Sequence, residues 1–371
     1  MRPGACWFDG HLDLAYNALA YGRDQTLPVA ALRARELGEP ERDEPGVATN
    51  SLDAMRRAGV GFALATVIAR CRPTDGQGVP TRYDLDWPHA SMAHAVARGQ
   101  LAYYEWLARA GWVELVKDAA SLGRLRARWE ARVLGAPPPP VGLVLTMEGA
   151  DPLVTPGDLA GWYELGLRTL MLAHVGPGRY AQGTVRPPYE DGPLTAMGRE
   201  LLVEMGRLGM ALDLTHVSDL GFFEALDRFG GPVYASHSNC RSLAPGTRQL
   251  SDAQLRRLIE RGGVVGVALH IGMLARGPDG AAPRRSEVGL DTVARHIDHV
   301  CQLAGDARHA ALGTDLDGGF GAALCPHDFD GPADLARVGE ALRGKGYTDA
   351  DVEAVLGGNW LAFFERHLPG G

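Results

Sequence analysis

At 371 residues, with a net charge of −8 and no long basic run, the chain is large enough for one big core or two ordinary ones, and is ill suited to nucleic acid or an anionic membrane surface as its main partner. Its five cysteines (Cys6, Cys71, Cys240, Cys301, Cys325) are odd in number, scattered and without a Cys-x-x-Cys pair, which excludes a cysteine-built zinc site and suggests a reducing compartment. The longest apolar run, residues 264–274, is too short to span a bilayer, and His11 arrives before a signal-length apolar stretch has room to form, so a cytoplasmic protein is the expectation.

The first apolar run, residues 5–8, leads into Asp9-Gly10-His11-Leu12-Asp13. In an extended strand residues i and i+2 point the same way, so His11 and Asp13 can close on one ion. A charged, loop-rich stretch (23–49), a helix (51–58) and a strand (60–69) follow. Residues 71–87, rich in Gly, Pro, Asp and Arg, read as a long loop placed to cover a mouth. Residues 89–117 read as a helix whose Met92, Val96, Tyr103, Trp106 and Leu107 approximate a core stripe. Pro137 to Pro140 form a rigid connector into a strand, 141–147, that ends at Glu148.

From there the rhythm is regular. Strand 168–173 ends at His174, and strand 210–215, after a helix over 195–208, ends at His216. Helix 219–229 leads to strand 232–236 and His237; helix 251–261, capped by Ser251, leads to strand 263–269 and His270. Helix 286–303 leads to strand 310–314 and Asp315. Eight apolar strands separated mostly by helices are the pattern of a parallel (β/α)₈ TIM barrel, which gathers its active site at the C-terminal strand ends. An open doubly wound sheet would show a glycine-rich phosphate turn after the first strand, and none is present. The expected organisation is one domain over residues 1–371, with the barrel at about 5–331 and two or three added helices (333–343, 348–356, 360–367) in a C-terminal extension at about 332–368.

His11, Asp13, Glu148, His216, His237 and Asp315 thus converge on one barrel mouth, a donor set that suits zinc or a similar divalent ion. The five of these read as ligands, His11, Asp13, Glu148, His216 and His237, exceed one zinc site with an open position, so two ions with Glu148 as bridge is the economical reading. Such a pair acidifies a shared water and polarises a carbonyl. Asp315 is then placed to move a proton from that water to a leaving amine. Hydrolysis of an amide or related bond is the implied reaction.

These motifs, together with Leu194-Thr-Ala-Met-Gly-Arg199, Gly209-Met-Ala-Leu-Asp-Leu-Thr-His216, Ser236-His-Ser238, Gly313-Thr-Asp-Leu-Asp-Gly-Gly319 and Gly357-Gly-Asn-Trp-Leu361, resemble the membrane (renal) dipeptidase family of zinc peptidases, peptidase M19, within the amidohydrolase-like barrels of metallo-dependent hydrolase type. The resemblance runs over nearly the whole chain. It implies that His11 and Asp13 bind one zinc, His216 and His237 the second, and Glu148 bridges. It implies that Asp315 handles the proton, His174 contacts the substrate carbonyl and tetrahedral intermediate, and Arg248 holds the terminal carboxylate of a dipeptide, including dipeptides ending in a D-residue. Dimers are usual in the family, and nothing in the sequence identifies an interface.

The chain departs from the family around the substrate, with Val175-Gly176 after His174 where many relatives place Asn, Gln249 after Arg248 where Asn is usual, and His270 near a position often aromatic. The alternative is therefore a same-fold hydrolase of another amide, lactam or ester. A non-catalytic binding protein would be marked by a lost ligand, and none is missing. Asp317 competes with Asp315 as the working carboxylate. Asp9 reads as support for the first turn, His296, Asp298 and His299 as helix surface or packing, and Cys240 as a small buried thiol; His270 is left out of the catalytic set.

Overall fold

The computed structural model describes residues 6–37, 47–72, 84–133, 135–184, 191–277 and 280–371. Among them, eight parallel strands follow one another around a curled sheet: β1 (Trp7–Leu12), β2 (Val60–Ile68), β3 (Val141–Glu148), β4 (Leu167–Met171), β5 (Ala211–Asp213), β6 (Val233–Tyr234), β7 (Val265–Val267) and β8 (Ala310–Leu312). One ladder joins β1 through β6 in order and a second joins β7 to β8. The gap between ladders is crossed by a bridge from Ala235 to Val265 and by Ser238 N–H donating to the Gly266 carbonyl at 2.7 Å. At the remaining seam, between β8 and β1, a side chain stands in for ladder bonds. The Asp9 carboxylate accepts from the Thr314 N–H at 2.8 Å and the Thr314 hydroxyl at 2.5 Å. The architecture is the (β/α)₈ barrel.

Every residue of β1, β2 and β3 is buried, as befits parallel strands covered on both faces, which is why they read as continuous apolar runs instead of alternating ones. Register pairs Ile68 with Glu148, so the chain leaves β2 and β3 at the same level and at the same end of the barrel. Several helices start at side-chain caps worth about 1 kcal/mol each, among them the one read at Ser251. Ser51 accepts from Ala54 N–H, Thr195 from Gly198 N–H, and Ser251 forms a reciprocal box with Gln254.

The later strands are shorter than their apolar runs because the chain turns away to present polar groups. Residues 89–117 divide into a helix, Ala90–Arg109, and a short strand, Val113–Leu115, that pairs with β3; Gly111 in the left-handed region separates them. Helices Val29–Glu36 and Ala119–Glu130 fall where no helix was read; in the first, Leu32 alone is buried, so no apolar stripe marks it. Most of the expected mouth loop, residues 73–83, lies outside the described residues.

The barrel floor is closed by the tail. Helix Asn359–His367 lays Trp360, Phe363 and Phe364 against Phe8 of β1 and Tyr234 of β6, and the Trp360 indole N–H donates to the Leu312 carbonyl at 2.8 Å. Inside, Gly266 and Gly313 admit the Ser236 carbonyl so closely that a Cβ would stand 1.8 and 1.7 Å from its oxygen. Among the described residues no helix is long and apolar enough to cross a membrane.

Candidate metal centre and active site

β1 ends in His11 and its continuation Asp13; β3 ends in Glu148; the turns after β5, β6 and β8 carry His216, His237 and Asp315. The fold brings all six together. One oxygen of Glu148 lies 3.6 Å from His11 Nε2, 3.3 Å from His216 Nε2, 3.6 Å from His237 Nε2 and 3.7 Å from His174 Nε2. His11 Nε2 is 3.7 Å from Asp13 Oδ1 and 3.8 Å from Asp315 Oδ1. Ligand atoms of His11, Asp13 and Glu148 lie within 4.8 Å of one another, as do those of Glu148, His216 and His237, and those of His11, His237 and Asp315.

Local strain accompanies this arrangement. Among the described residues, those other than glycine with positive φ are His216 (67°), Asp315 (57°) and Asp317 (63°), and all three stand at the barrel mouth. A left-handed backbone is unfavourable for these side chains and persists where the surroundings over-determine it.

The donor set fits a divalent cation. His11 is fully buried with neither ring nitrogen hydrogen-bonded, a costly state for an imidazole without a metal or a proton partner. Burial, reinforced by the charge of Asp13, raises Glu148 to about 7, and burial holds Asp315 well above the usual carboxylate range. Burial also holds His216 and His237 well below the usual imidazole range, the nearby Arg248 and His11 charges adding to it. Burial opposes charge on His11 as well, but Glu148 and Asp13 outweigh it and its pKa rises. Acids pushed toward neutrality around neutral imidazoles are what a bound cation relieves.

Outer contacts orient the donors. The Thr66 hydroxyl donates to Asp13. His237 Nδ1 lies 2.8 Å from the Ser236 hydroxyl, and the Ser236 and Thr215 N–H groups both donate to Asp213. Such contacts fix ring orientation at metal sites. Asp317 faces away from the cluster. Its oxygens accept from the Thr49 N–H (2.9 Å) and hydroxyl (2.6 Å) and the Asn50 N–H (3.2 Å), with Arg23 at 3.5 Å.

The cluster floors a cavity of about 600 Å³ that also exposes His174, Arg248 and His270. Arg248 is buried, donates to the His237 carbonyl at 2.7 Å and lies 3.3 Å from the Ser238 hydroxyl. Burial lowers its pKa to about 10, which leaves it charged at neutral pH. His174 Nδ1 lies 3.4 Å from a guanidinium nitrogen of Arg70, whose other two nitrogens clasp Asp86 at 2.6 and 2.8 Å. Sequence reading passed over Arg70, Asp86 and Thr66. His270 caps the short helix Ile271–Leu274 by accepting from Gly272 N–H and meets Phe320 edge-on at 4.8 Å, a wall position. Cys240 and His296 bond to each other in the packed interior, and Asp9 serves the barrel seam.

Comparison with known proteins agrees with this geometry. The model of the membrane dipeptidase family, peptidase family M19, matches residues 5–367. An uncharacterized Klebsiella pneumoniae protein from the pqqA 5′ region is 33% identical over 262 residues, covering 68% of this chain and 88% of that protein. The crystal structure of the dipeptidase AC, a metallopeptidase of the same family, is 25% identical and superposes with a TM-score of 0.78 over 98% of this chain and 99% of its own. A Rhodobacter sphaeroides metallopeptidase, crystallised with a phosphinate mimic of the dipeptide L-Ala-D-Ala, is 25% identical with a TM-score of 0.76 over the same shares. The matched region spans about half the length of two Schizosaccharomyces pombe dipeptidases. With a parallel barrel, six converging donors and a family match from residue 5 to residue 367, the chain belongs to the membrane dipeptidase family, M19.

Proposed function

We propose that the protein is a two-metal dipeptidase that hydrolyses dipeptides with a free C-terminal carboxylate, those ending in a D-residue included. The observation that carries this reading is Glu148, one of whose oxygens has four imidazole nitrogens around it at 3.3 to 3.7 Å. His11 and Asp13 would hold one ion, His216 and His237 the other, and Glu148 would be shared. Two zinc ions, the metal implied by the family resemblance, would supply Lewis acidity toward the scissile carbonyl and an acidified water near neutral pH.

The chain's own groups complete the chemistry. Arg248 receives both oxygens of the substrate's terminal carboxylate on its planar fork. The Arg70 guanidinium facing His174 Nδ1 can only donate, so Nδ1 is the acceptor and the ring proton sits on Nε2, the nitrogen turned toward Glu148. That N–H is directed to donate to the carbonyl oxygen as it gains charge. Asp315 takes a proton from the attacking water and returns it to the leaving amine. The phosphinate mimic of L-Ala-D-Ala bound by the Rhodobacter sphaeroides relative supports a D-residue at the C-terminal end.

Val175 and Gln249 line the cavity next to His174 and Arg248, and they are among the positions at which the sequence reading notes a departure from the pattern of the family it resembles. They favour, as a second reading, a hydrolase of another amide, lactam or ester. One experiment separates the two: metal content of protein purified without chelator, paired with turnover of a mixed L,L and L,D dipeptide library and its N-acylated and C-amidated counterparts. About two zinc ions per chain with turnover that requires the free carboxylate supports the dipeptidase. Metal without dipeptide turnover supports the second reading, and absence of metal overturns both.

A further inference from the structure

Beyond the metal floor, the cavity wall carries three guanidinium groups, Arg70, Arg248 and Arg276, and they are not equivalent. Arg70 is neutralised by the two-pronged clasp on Asp86. Arg248 makes bonds only to a carbonyl and a hydroxyl, and Arg276 donates through Nε to the Pro245 carbonyl at 3.0 Å, leaving both Nη atoms without an acceptor among the described residues. No carboxylate pairs with either of the last two among those residues. If Arg248 takes the substrate's terminal carboxylate, one cationic fork on this wall is still unmatched.

The two forks share one side of the cavity. Arg276 is tied to Pro245, three residues before Arg248, and packs on Gly246, where a Cβ would stand 3.1 Å from its Nη2. Both guanidiniums line the cavity with His270 and oppose protonation of its ring, after burial the largest influences on it. The wall after β1 and β2 carries Tyr16, Ile68 and Leu85, an apolar cluster of their own, together with Arg70, whose charge Asp86 already matches. A second anionic group on a ligand is therefore accommodated at the carboxylate end and not at the amino end.

We propose that Arg276 is a specificity-determining residue that selects substrates whose C-terminal residue carries a second carboxylate, that is, dipeptides ending in aspartate or glutamate. The inference rests on the dipeptidase reading and deepens it. An exposed arginine on a loop is ordinarily only solvated; Arg276 differs in lining the reaction cavity with its Nε anchored and its Nη edge open. A side-chain carboxylate stands one or two methylenes from the α-carbon, a short step from the α-carboxylate to a neighbouring fork.

The test compares isosteric pairs, Ala-Glu with Ala-Gln and Ala-Asp with Ala-Asn, each with L- and D-residues at the C-terminal position, in the metal-loaded wild-type enzyme and in Arg276→Met and Arg276→Lys. The readout is the ratio of kcat/KM for acid over amide within each enzyme, so a loss of folded protein cancels. In the wild type the ratio is expected to be about tenfold or more, expressed in KM, and to shrink as salt rises. It should fall close to one in Arg276→Met and be intermediate in Arg276→Lys. A wild-type ratio near or below one, or a ratio that survives both substitutions, overturns the assignment while leaving the dipeptidase reading intact. Absence of turnover on every dipeptide overturns both.

Discussion

The Nε2 atoms of His216 and His237 face each other at 3.1 Å, both beside the same oxygen of Glu148. Two buried imidazoles that turn ring nitrogens toward one point have a natural common partner in a cation. We expect protein purified without chelator to contain about two divalent ions per chain, and His216→Ala or His237→Ala to lose about one of them. Because metal bound only by the folded chain stabilises it, by about 4 kcal/mol at a thousandfold excess over Kd, chelation should lower the melting temperature by several degrees. Elemental analysis and a melt with and without chelator decide it; metal-free protein with an unchanged melt would remove the metal centre.

Asp315 and Asp317, two residues apart, should separate cleanly. Asp317 already uses its oxygens on Thr49 and Asn50, so Asp317→Asn is expected to cost about 2 kcal/mol of stability. Asp315→Asn should lower kcat about 10²- to 10⁴-fold with KM little changed and stability kept. Swapped outcomes would assign the proton-handling role to the other carboxylate.

Arg248 is expected to act through binding. Arg248→Met should raise KM for dipeptides about 10- to 150-fold, the range of one or two charge-assisted hydrogen bonds, and lysine should recover little because it lacks the planar fork. Amidating the substrate's C-terminus should have a comparable effect on the wild type and little additional effect on the variant. Equal, additive losses from both changes would show that the two groups do not meet.

The buried His296 predicts a pH dependence of stability away from the catalytic mouth. Its Nδ1 accepts from the Cys240 N–H at 3.0 Å and its Nε2 faces the Leu274 carbonyl at 2.9 Å, so the neutral ring is the one that fits. Burial first, then the charges of His299 and Arg295, lower its pKa from 6.5 to about 4. The folded pKa lies below the unfolded one, so below pH 6.5 the unfolded chain binds a proton that the folded chain refuses. Stability should fall by roughly 3 kcal/mol at most between pH 6.5 and 4, and this component should be flat outside that window. Urea midpoints at pH 7, 5.5 and 4.5 for wild type and His296→Gln test this; parallel curves would show that another group is responsible.

The donors at the mouth were legible because a parallel barrel writes them in a simple code: an apolar run, then a polar residue, repeated along the chain. His11 and Asp13, Glu148, His216, His237 and Asp315 all follow that code. Arg70 did not, because an arginine at the start of a Gly-, Pro- and Asp-rich stretch looks like any solvated loop residue, and only the folded barrel carries it 104 residues along the chain to His174. Helix Val29–Glu36 was hidden for a related reason, since its single buried residue leaves no periodicity to read. The tail was read as added helices in a C-terminal extension; that Trp360 enters the floor depends on Gly10, where a Cβ would stand 2.7 Å from the indole ring, and no local pattern announces such a match.

The seating of Trp360 and Phe364 beneath Phe8 has a consequence for the order of events during synthesis. The strand that delivers His11 and Asp13 is made before the other seven strands of the barrel, yet the aromatic cluster on which it rests includes residues made more than three hundred positions later. During synthesis the first strand lacks this aromatic footing until residues 359–367 are free to dock. His11, the first donor of the candidate metal centre, therefore stands on a strand whose footing is a helix made far later, and the settled geometry of the site depends on that helix having docked.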